Sequence, residues 1–130
     1  MKKITEKQYK IYGIYTVIFV CIALIIYGQF LYYGKTLIEY HDSLQQYYAA
    51  FQYFVTYIHK VLKTLFSTGQ LHFPMWDFSI GMGGDILTAL NYYVIGDPFA
   101  FLSIFFPVAK AEYGYSFLIL LRIYFAGIAF

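Results

Sequence analysis

The chain has 130 residues, of which 61% are hydrophobic and only 12% are charged, and its formal net charge is +2. A soluble domain carries about 25% charged residues, so this composition argues against water as the only solvent. The small net charge also argues against a nucleic-acid partner.

The first predicted element is a transmembrane helix over residues 11–33, a stretch without a formal charge. At about 1.5 Å per residue it reaches roughly 35 Å, enough to cross a hydrocarbon core of about 30 Å. A cleaved signal peptide is the alternative, but its apolar region should be only about 7–15 residues long. We therefore favour an uncleaved membrane anchor.

The charges beside this helix predict its orientation. Four lysines precede it, namely Lys2, Lys3, Lys7 and Lys10, whereas acids outnumber lysines in the segment that follows. Cytoplasmic flanks of membrane helices are enriched in Lys and Arg. We therefore expect residues 1–10 in the cytoplasm and residues 34–112 as an extracytoplasmic loop of a bacterial cell-membrane protein.

The loop begins with a predicted amphipathic helix near residues 43–67. Ser43 with Gln46, or Asp42 with Gln45, fits a capping box at its start. Apolar residues then recur at spacings of three and four and form one stripe. Such a helix could lie flat on the outer leaflet or pack against other helices, and an ordinary helix on a protein core is the alternative.

Further along the loop, the glycine-rich segment ending in Asp85 predicts a tight turn, because its match to a nucleotide-binding loop is weak. Helices are expected near residues 86–94 and 98–106, the second as an interfacial or re-entrant segment. Asp97 and Pro98 form the break between them. A single span over residues 86–107 is the alternative, but it would have to include both.

The last predicted element is a truncated transmembrane helix over residues 113–130, interrupted by Arg122. Arg122 could pair with a carboxylate or carbonyl inside a helix bundle, or contact an anionic lipid head group. We therefore expect an all-α membrane fold that continues into further transmembrane helices of a longer, multi-pass protein.

Carboxylates in the loop are the candidates for chemistry. The loop aspartates are Asp42, Asp77, Asp85 and Asp97. A carboxylate beside apolar surface can act as a general base, and two or three together can hold a divalent cation. Asp42 is the best single candidate because it lies close to the membrane exit, although an Asp at a helix start is often only a cap.

Four segments resemble the N-terminus of the bacterial YfhO family, which belongs to the GT-C class of lipid-dependent glycosyltransferases. They are Asp42-Ser-Leu-Gln-Gln-Tyr-Tyr48, Pro74-x-Trp76-Asp-Phe-Ser-Ile-Gly-x-Gly-x-Asp85, Tyr92-Tyr-x-x-Gly-Asp-Pro-Phe99 and Leu121-Arg-x-Tyr-x-Ala-Gly127. Their order along the chain makes the resemblance more specific than any one of them.

The resemblance implies transfer of a sugar from a polyprenyl-phosphate donor to a cell-envelope polymer, such as teichoic acid, on the outer face. Asp42 would be the catalytic base or a metal-positioning group, and Asp97 is a second catalytic candidate. The candidate substrate-binding residues are Gln45, Gln46, Trp76, Asp85 and Arg122.

The implied partners are the lipid bilayer, the polyprenyl-phosphate-linked sugar and the remaining transmembrane helices, and a divalent cation is the candidate cofactor. We expect this piece alone to be inactive. The alternative function is a non-enzymatic integral membrane protein, either a transporter subunit or an envelope assembly factor.

Overall fold

A computed structural model describes residues 6–130, apart from the side chain of Lys7, so part of the predicted cytoplasmic segment 1–10 lies outside the described residues. The chain divides into two compact units. The terminal unit comprises the residues up to Leu37 together with Ile119–Phe130, and the loop unit comprises Ile38–Leu118. Helices dominate the described residues, and the predicted all-α class is confirmed.

The elements follow one another in a simple order. They are α1 (Glu6–Tyr32), a π-helical segment (Ser43–Tyr48), α2 (Ala49–Thr68), β1 (Trp76–Asp77), β2 (Gly84–Asp85), α3 (Ile86–Leu90), a second π-helical segment (Asn91–Ile95), two 3₁₀ helices (Pro98–Phe105 and Val108–Lys110) and α4 (Ala111–Ala129). The two short strands pair antiparallel, where the sequence predicted only a turn.

In the terminal unit, α1 has the length and composition of a membrane span over Gln8–Tyr32, and none of its most apolar window is buried by protein. This exposure is unlike that of a core helix in a soluble domain. Helix α4 passes the same test only when it is extended by Val108–Lys110 and joined to Pro98–Phe105 across a bend of 118°. The transmembrane helix over residues 113–130 therefore stays a prediction.

The end of α4 packs on α1 within the terminal unit. The Tyr15 hydroxyl donates to the Tyr124 carbonyl at 3.0 Å, and their rings stack at 5.6 Å. Thr16 Oγ1 lies 2.9 Å from the Tyr124 hydroxyl. A Cβ at Gly127 would overlap the Tyr15 hydroxyl, so this glycine permits the close approach of the two helices.

The loop unit has its own hydrophobic core. Helix α2 buries Phe51, Phe54, Val55 and Val61, and the facing elements bury Ile86, Leu90, Val94, Ala100, Tyr115 and Leu118. Phe54 meets Phe101 edge to face at 5.6 Å, and Phe51 meets Tyr115 at 5.3 Å. The centre of the predicted apolar stripe therefore packs on protein and is not free to lie on a lipid surface.

Candidate functional site

Two of the loop aspartates cap short helices. Asp85 Oδ1 accepts from the Thr88 amide at 3.1 Å at the start of α3. Asp97 Oδ1 accepts from the Phe99 amide at 3.0 Å, at the start of the 3₁₀ helix whose first residue is Pro98. Both carboxylates thus accept from backbone amides that the start of a helix leaves unpaired. The sequence had left this capping role open for both residues.

Asp42 differs from these two, because its carboxylate does not cap the helix that follows it. The amides of Leu44 and Gln45 donate to the carbonyls of Glu39 and His41, at 2.9 and 3.0 Å. Asp42 already has helical backbone angles, whereas a capping residue is normally extended. The predicted capping box is therefore wrong, and the exposed Asp42 carboxylate remains available for other contacts.

The Asp42 carboxylate instead joins a network of polar side chains. Gln46 Nε2 donates to Asp42 Oδ1 at 3.3 Å, and Gln46 Oε1 accepts from the Tyr93 hydroxyl at 3.3 Å. Tyr93 also meets the rings of Tyr47 and Tyr92 edge to face, at 5.5 and 5.2 Å. We call these five residues the Asp42 cluster.

Both π-helical segments contribute to this cluster, the first through Gln46 and Tyr47 and the second through Tyr92 and Tyr93. π-Helical turns are rare and occur frequently at functional sites. A hydrogen bond with Tyr92, followed by smaller effects that include the charge of Asp42, raises the pKa of Tyr47. The Tyr47 phenol therefore stays protonated at neutral pH and can donate a hydrogen bond.

A second candidate site is a groove of about 640 Å³ between α2 and the β1–β2 hairpin. On one side, Tyr53 and Tyr57 project from α2, and the Tyr57 hydroxyl donates to the Pro74 carbonyl at 3.0 Å. On the other side, Asp77 accepts a short hydrogen bond from the Tyr53 hydroxyl. Asp77 also accepts from the Ser79 amide at 2.8 Å, so the carboxylate is fixed in place.

Trp76 also lines this groove, and its side chain is 57% exposed. Its backbone is held by strand pairing with Asp85. Gly83 has φ +108°, and a Cβ there would lie 3.2 Å from both Trp76 Nε1 and Phe78 Cδ1. Only glycine combines this backbone angle with enough room for the indole ring, so the glycine-rich turn positions Trp76.

The charges in the groove are mutually dependent. The hydrogen bond from Tyr53, then those from Ser79, and finally the charge of Lys60 hold the pKa of Asp77 below its ordinary value of 3.8. Burial and the Asp77 hydrogen bond raise the pKa of Tyr53. At neutral pH the groove therefore contains an ionised Asp77, a protonated Tyr53 and the opposite charge of Lys60.

The other sequence candidates lie elsewhere. Gln45 is exposed and uses its backbone amide in the first helical turn. Arg122 is half-buried on the part of α4 that belongs to the terminal unit. No three His, Cys, Asp or Glu side chains come together as a metal site among residues 6–130. The candidate divalent cation therefore stays a prediction.

Sequence reasoning missed Tyr53, Lys60 and Tyr93 as site residues, and it included Asp77 among the loop carboxylates without giving it a role. The sequence did indicate that α2 presents polar side chains on one face, because Tyr53 and Tyr57 lie one helical turn apart, as do Thr56 and Lys60. Nothing in the local sequence indicated that Asp77 would face these side chains across the groove.

A family model described as bacterial membrane protein YfhO matches residues 14–130. The chain belongs to the YfhO family. No curated protein and no solved structure matches it. The family match begins within α1 and covers all four recognised segments, so the Asp42 cluster and the groove are both features of a YfhO family membrane protein. The resemblance predicted from those segments is confirmed.

Proposed function

We propose that this YfhO family chain is the amino-terminal part of a multi-pass membrane glycosyltransferase. It would transfer a sugar from a polyprenyl-phosphate donor to a cell-envelope polymer of the teichoic acid type, on the outer face of the membrane. Asp42 would be the general base. The observation that carries this assignment is that Asp42 is exposed and does not cap its helix, whereas Asp85 and Asp97 do.

The proposed reaction needs a group that accepts a proton from the acceptor hydroxyl. As that oxygen bonds to the anomeric carbon, its proton passes to the Asp42 carboxylate. The bond between the anomeric carbon and the donor phosphate oxygen breaks, and polyprenyl phosphate leaves with the electron pair. Gln46 orients the carboxylate and is itself held by Tyr93, so the base is pre-positioned.

Replacement of Asp42 tests the assignment directly. Asp42→Asn keeps the shape of the side chain but removes its basicity, and we expect sugar transfer to fall by about 10²- to 10⁴-fold. The measurement is the sugar content of the envelope polymer in cells that produce the full-length protein. Glu39→Gln is the matched control, because Glu39 is a nearby acid whose carboxylate accepts from the His41 amide at 3.0 Å.

An unchanged sugar content in Asp42→Asn cells, at normal protein levels, would contradict the catalytic assignment. That result would favour the non-enzymatic alternative, a transporter subunit or an envelope assembly factor. Such a protein should tolerate loss of the acid but not loss of the aromatic side chains around it.

The outer-face location depends on the orientation predicted from the lysines that precede α1. Gln70 is exposed just after α2, and Cys21 is the chain's single cysteine. We expect Gln70→Cys, in a Cys21→Ser background, to react with a membrane-impermeant maleimide in intact cells. Reaction only after the cells are broken would place the loop in the cytoplasm and contradict the proposed chemistry.

A further inference from the structure

We infer that the groove between α2 and the β1–β2 hairpin binds a neutral pyranose ring, through stacking on Trp76 and hydrogen bonds to Tyr53 and Asp77. The inference rests on the proposed function only for the origin of that ring. It would be either the sugar carried by the lipid donor or a sugar already attached to the polymer.

The aromatic wall of the groove is suited to a sugar ring. Trp76 is more than half exposed, although it is held between a paired strand and the bare backbone of Gly83. An indole ring offers a large, rigid apolar surface with one polar edge. The C–H face of a pyranose covers such a surface while its hydroxyl groups point outward to polar neighbours.

The opposite wall supplies the polar neighbours. An ionised carboxylate has about four acceptor sites, and in Asp77 the Tyr53 hydroxyl, the Ser79 amide and the Ser79 side chain occupy no more than three of them. The site that remains can accept from a sugar hydroxyl group. Thr56 and Lys60 line the same wall from the exposed face of α2 and can donate to sugar oxygens.

The charge balance favours a neutral ligand over a phosphate. Among the described residues, Lys60 is the cation that lines the groove, and the charge of Asp77 opposes it. Phosphate sites usually combine several cationic or backbone N–H donors without an adjacent carboxylate. The volume of about 640 Å³ falls within the range of small-molecule sites.

Trp76 is the chain's single tryptophan, so its fluorescence reports on the groove directly. The experiment titrates the full chain in detergent with methyl pyranosides of the gluco, galacto, manno and 2-acetamido-gluco series. We expect a saturable change in emission with at least one of them and none with inorganic phosphate. No saturation by any of these sugars, or saturation by phosphate alone, would overturn the inference.

Two substitutions test the polar wall. Tyr53→Phe and Asp77→Asn should each weaken pyranoside binding by roughly tenfold or more, because each removes hydrogen bonding that involves a charged group. Met82→Ala, at a fully exposed position in the same hairpin, is the matched control and should bind normally. Unaltered binding in both groove variants, with unchanged emission before sugar is added, would also overturn the inference.

The Asp42→Asn variant separates this inference from the proposed function. We expect it to bind pyranosides normally while losing sugar transfer. If transfer survives Asp42→Asn but Tyr53→Phe abolishes sugar binding, the catalytic proposal fails and the groove stands. If the unaltered chain binds no pyranoside but Asp42→Asn loses transfer, the groove inference fails and the catalytic proposal stands.

The origin of the ring follows from transfer assays on the full-length protein. A Tyr53→Phe variant with a raised KM for the lipid-linked donor identifies the donor sugar as the ligand. A raised KM for the polymer identifies a polymer-borne sugar instead. No change in either KM would contradict a role for the groove in binding either substrate.

Discussion

Helices α1 and α2 are both rich in apolar residues, but they place those residues in different surroundings. The apolar window of α1 is not buried by protein at all, and large side chains such as Ile18 are exposed on it. Helix α2 has one apolar face, on which Phe51 and Phe54 are almost fully covered. Because the chain belongs to a membrane protein family, we expect lipid to surround α1, whereas α2 finds its apolar environment within the loop unit.

The largest expected effect is on the core of the loop unit. Phe54 is 3% exposed, and Phe54→Ala should lower the free energy of unfolding by about 3–5 kcal/mol. Ile18→Ala, at a position 53% exposed, should change it by less than about 0.5 kcal/mol. Denaturant unfolding in detergent, followed by Trp76 fluorescence, measures both. Equal losses would contradict the separation between a protein core and a lipid-facing helix.

A charged residue placed in α1 tests whether lipid surrounds this helix. Ile18→Lys should oppose membrane insertion by about 2.5–3.5 kcal/mol, because the lysine must leave water. Ser67→Lys, on the exposed end of α2, should have no such effect. The measurement is the fraction of chain that resists carbonate extraction from membranes. If both variants remain membrane-bound to the same extent, lipid does not surround α1 as we infer.

The smallest expected effect is a pH dependence confined to the loop unit. The pKa of Asp77 is lowered in the fold, chiefly by Tyr53, so its stabilising contribution is present above the ordinary value of 3.8. It is lost as the pH falls through the lowered pKa of the folded state. Trp76 emission should therefore change in acid below that ordinary value, while the helical signal of α1 persists.

Asp77→Asn provides the check on this pH effect, because an amide does not titrate in that range. The acid-induced change in Trp76 emission should disappear in Asp77→Asn and persist in Glu39→Gln. A change that persists in Asp77→Asn would mean that another group near the groove is responsible.

Much of the fold could be predicted from local patterns. The uncharged stretch over residues 11–33 predicted α1, and the apolar spacing near residues 43–67 predicted the long helix of the loop. The break at Asp97 and Pro98 likewise separates two helical segments in the structure. Each of these features depends on residues that lie close together in the sequence.

The site was predicted less completely. The sequence singled out Asp42, Gln46 and Trp76, which the structure places in the Asp42 cluster or the groove. It favoured Asp42 for its position near the membrane exit, but it could not tell that Asp85 and Asp97 cap their helices and Asp42 does not. The capping-box prediction failed because the backbone is already helical at Asp42. The carbonyls of Glu39 and His41 accept from the first amides of the helix.

The helical class, the membrane-compatible α1 and the family were all evident from the residues alone, because hydrophobic length, periodicity and short motifs are local properties of a chain. Two features of the site depended on how distant segments pack. Tyr93 holds Gln46 beside Asp42, and Asp77 faces Tyr53 across a groove next to Trp76. The Tyr93–Gln46 and Tyr53–Asp77 contacts join residues 47 and 24 positions apart in the sequence. They form only when burial of the Phe51–Val61 side of α2 fixes the segments around it.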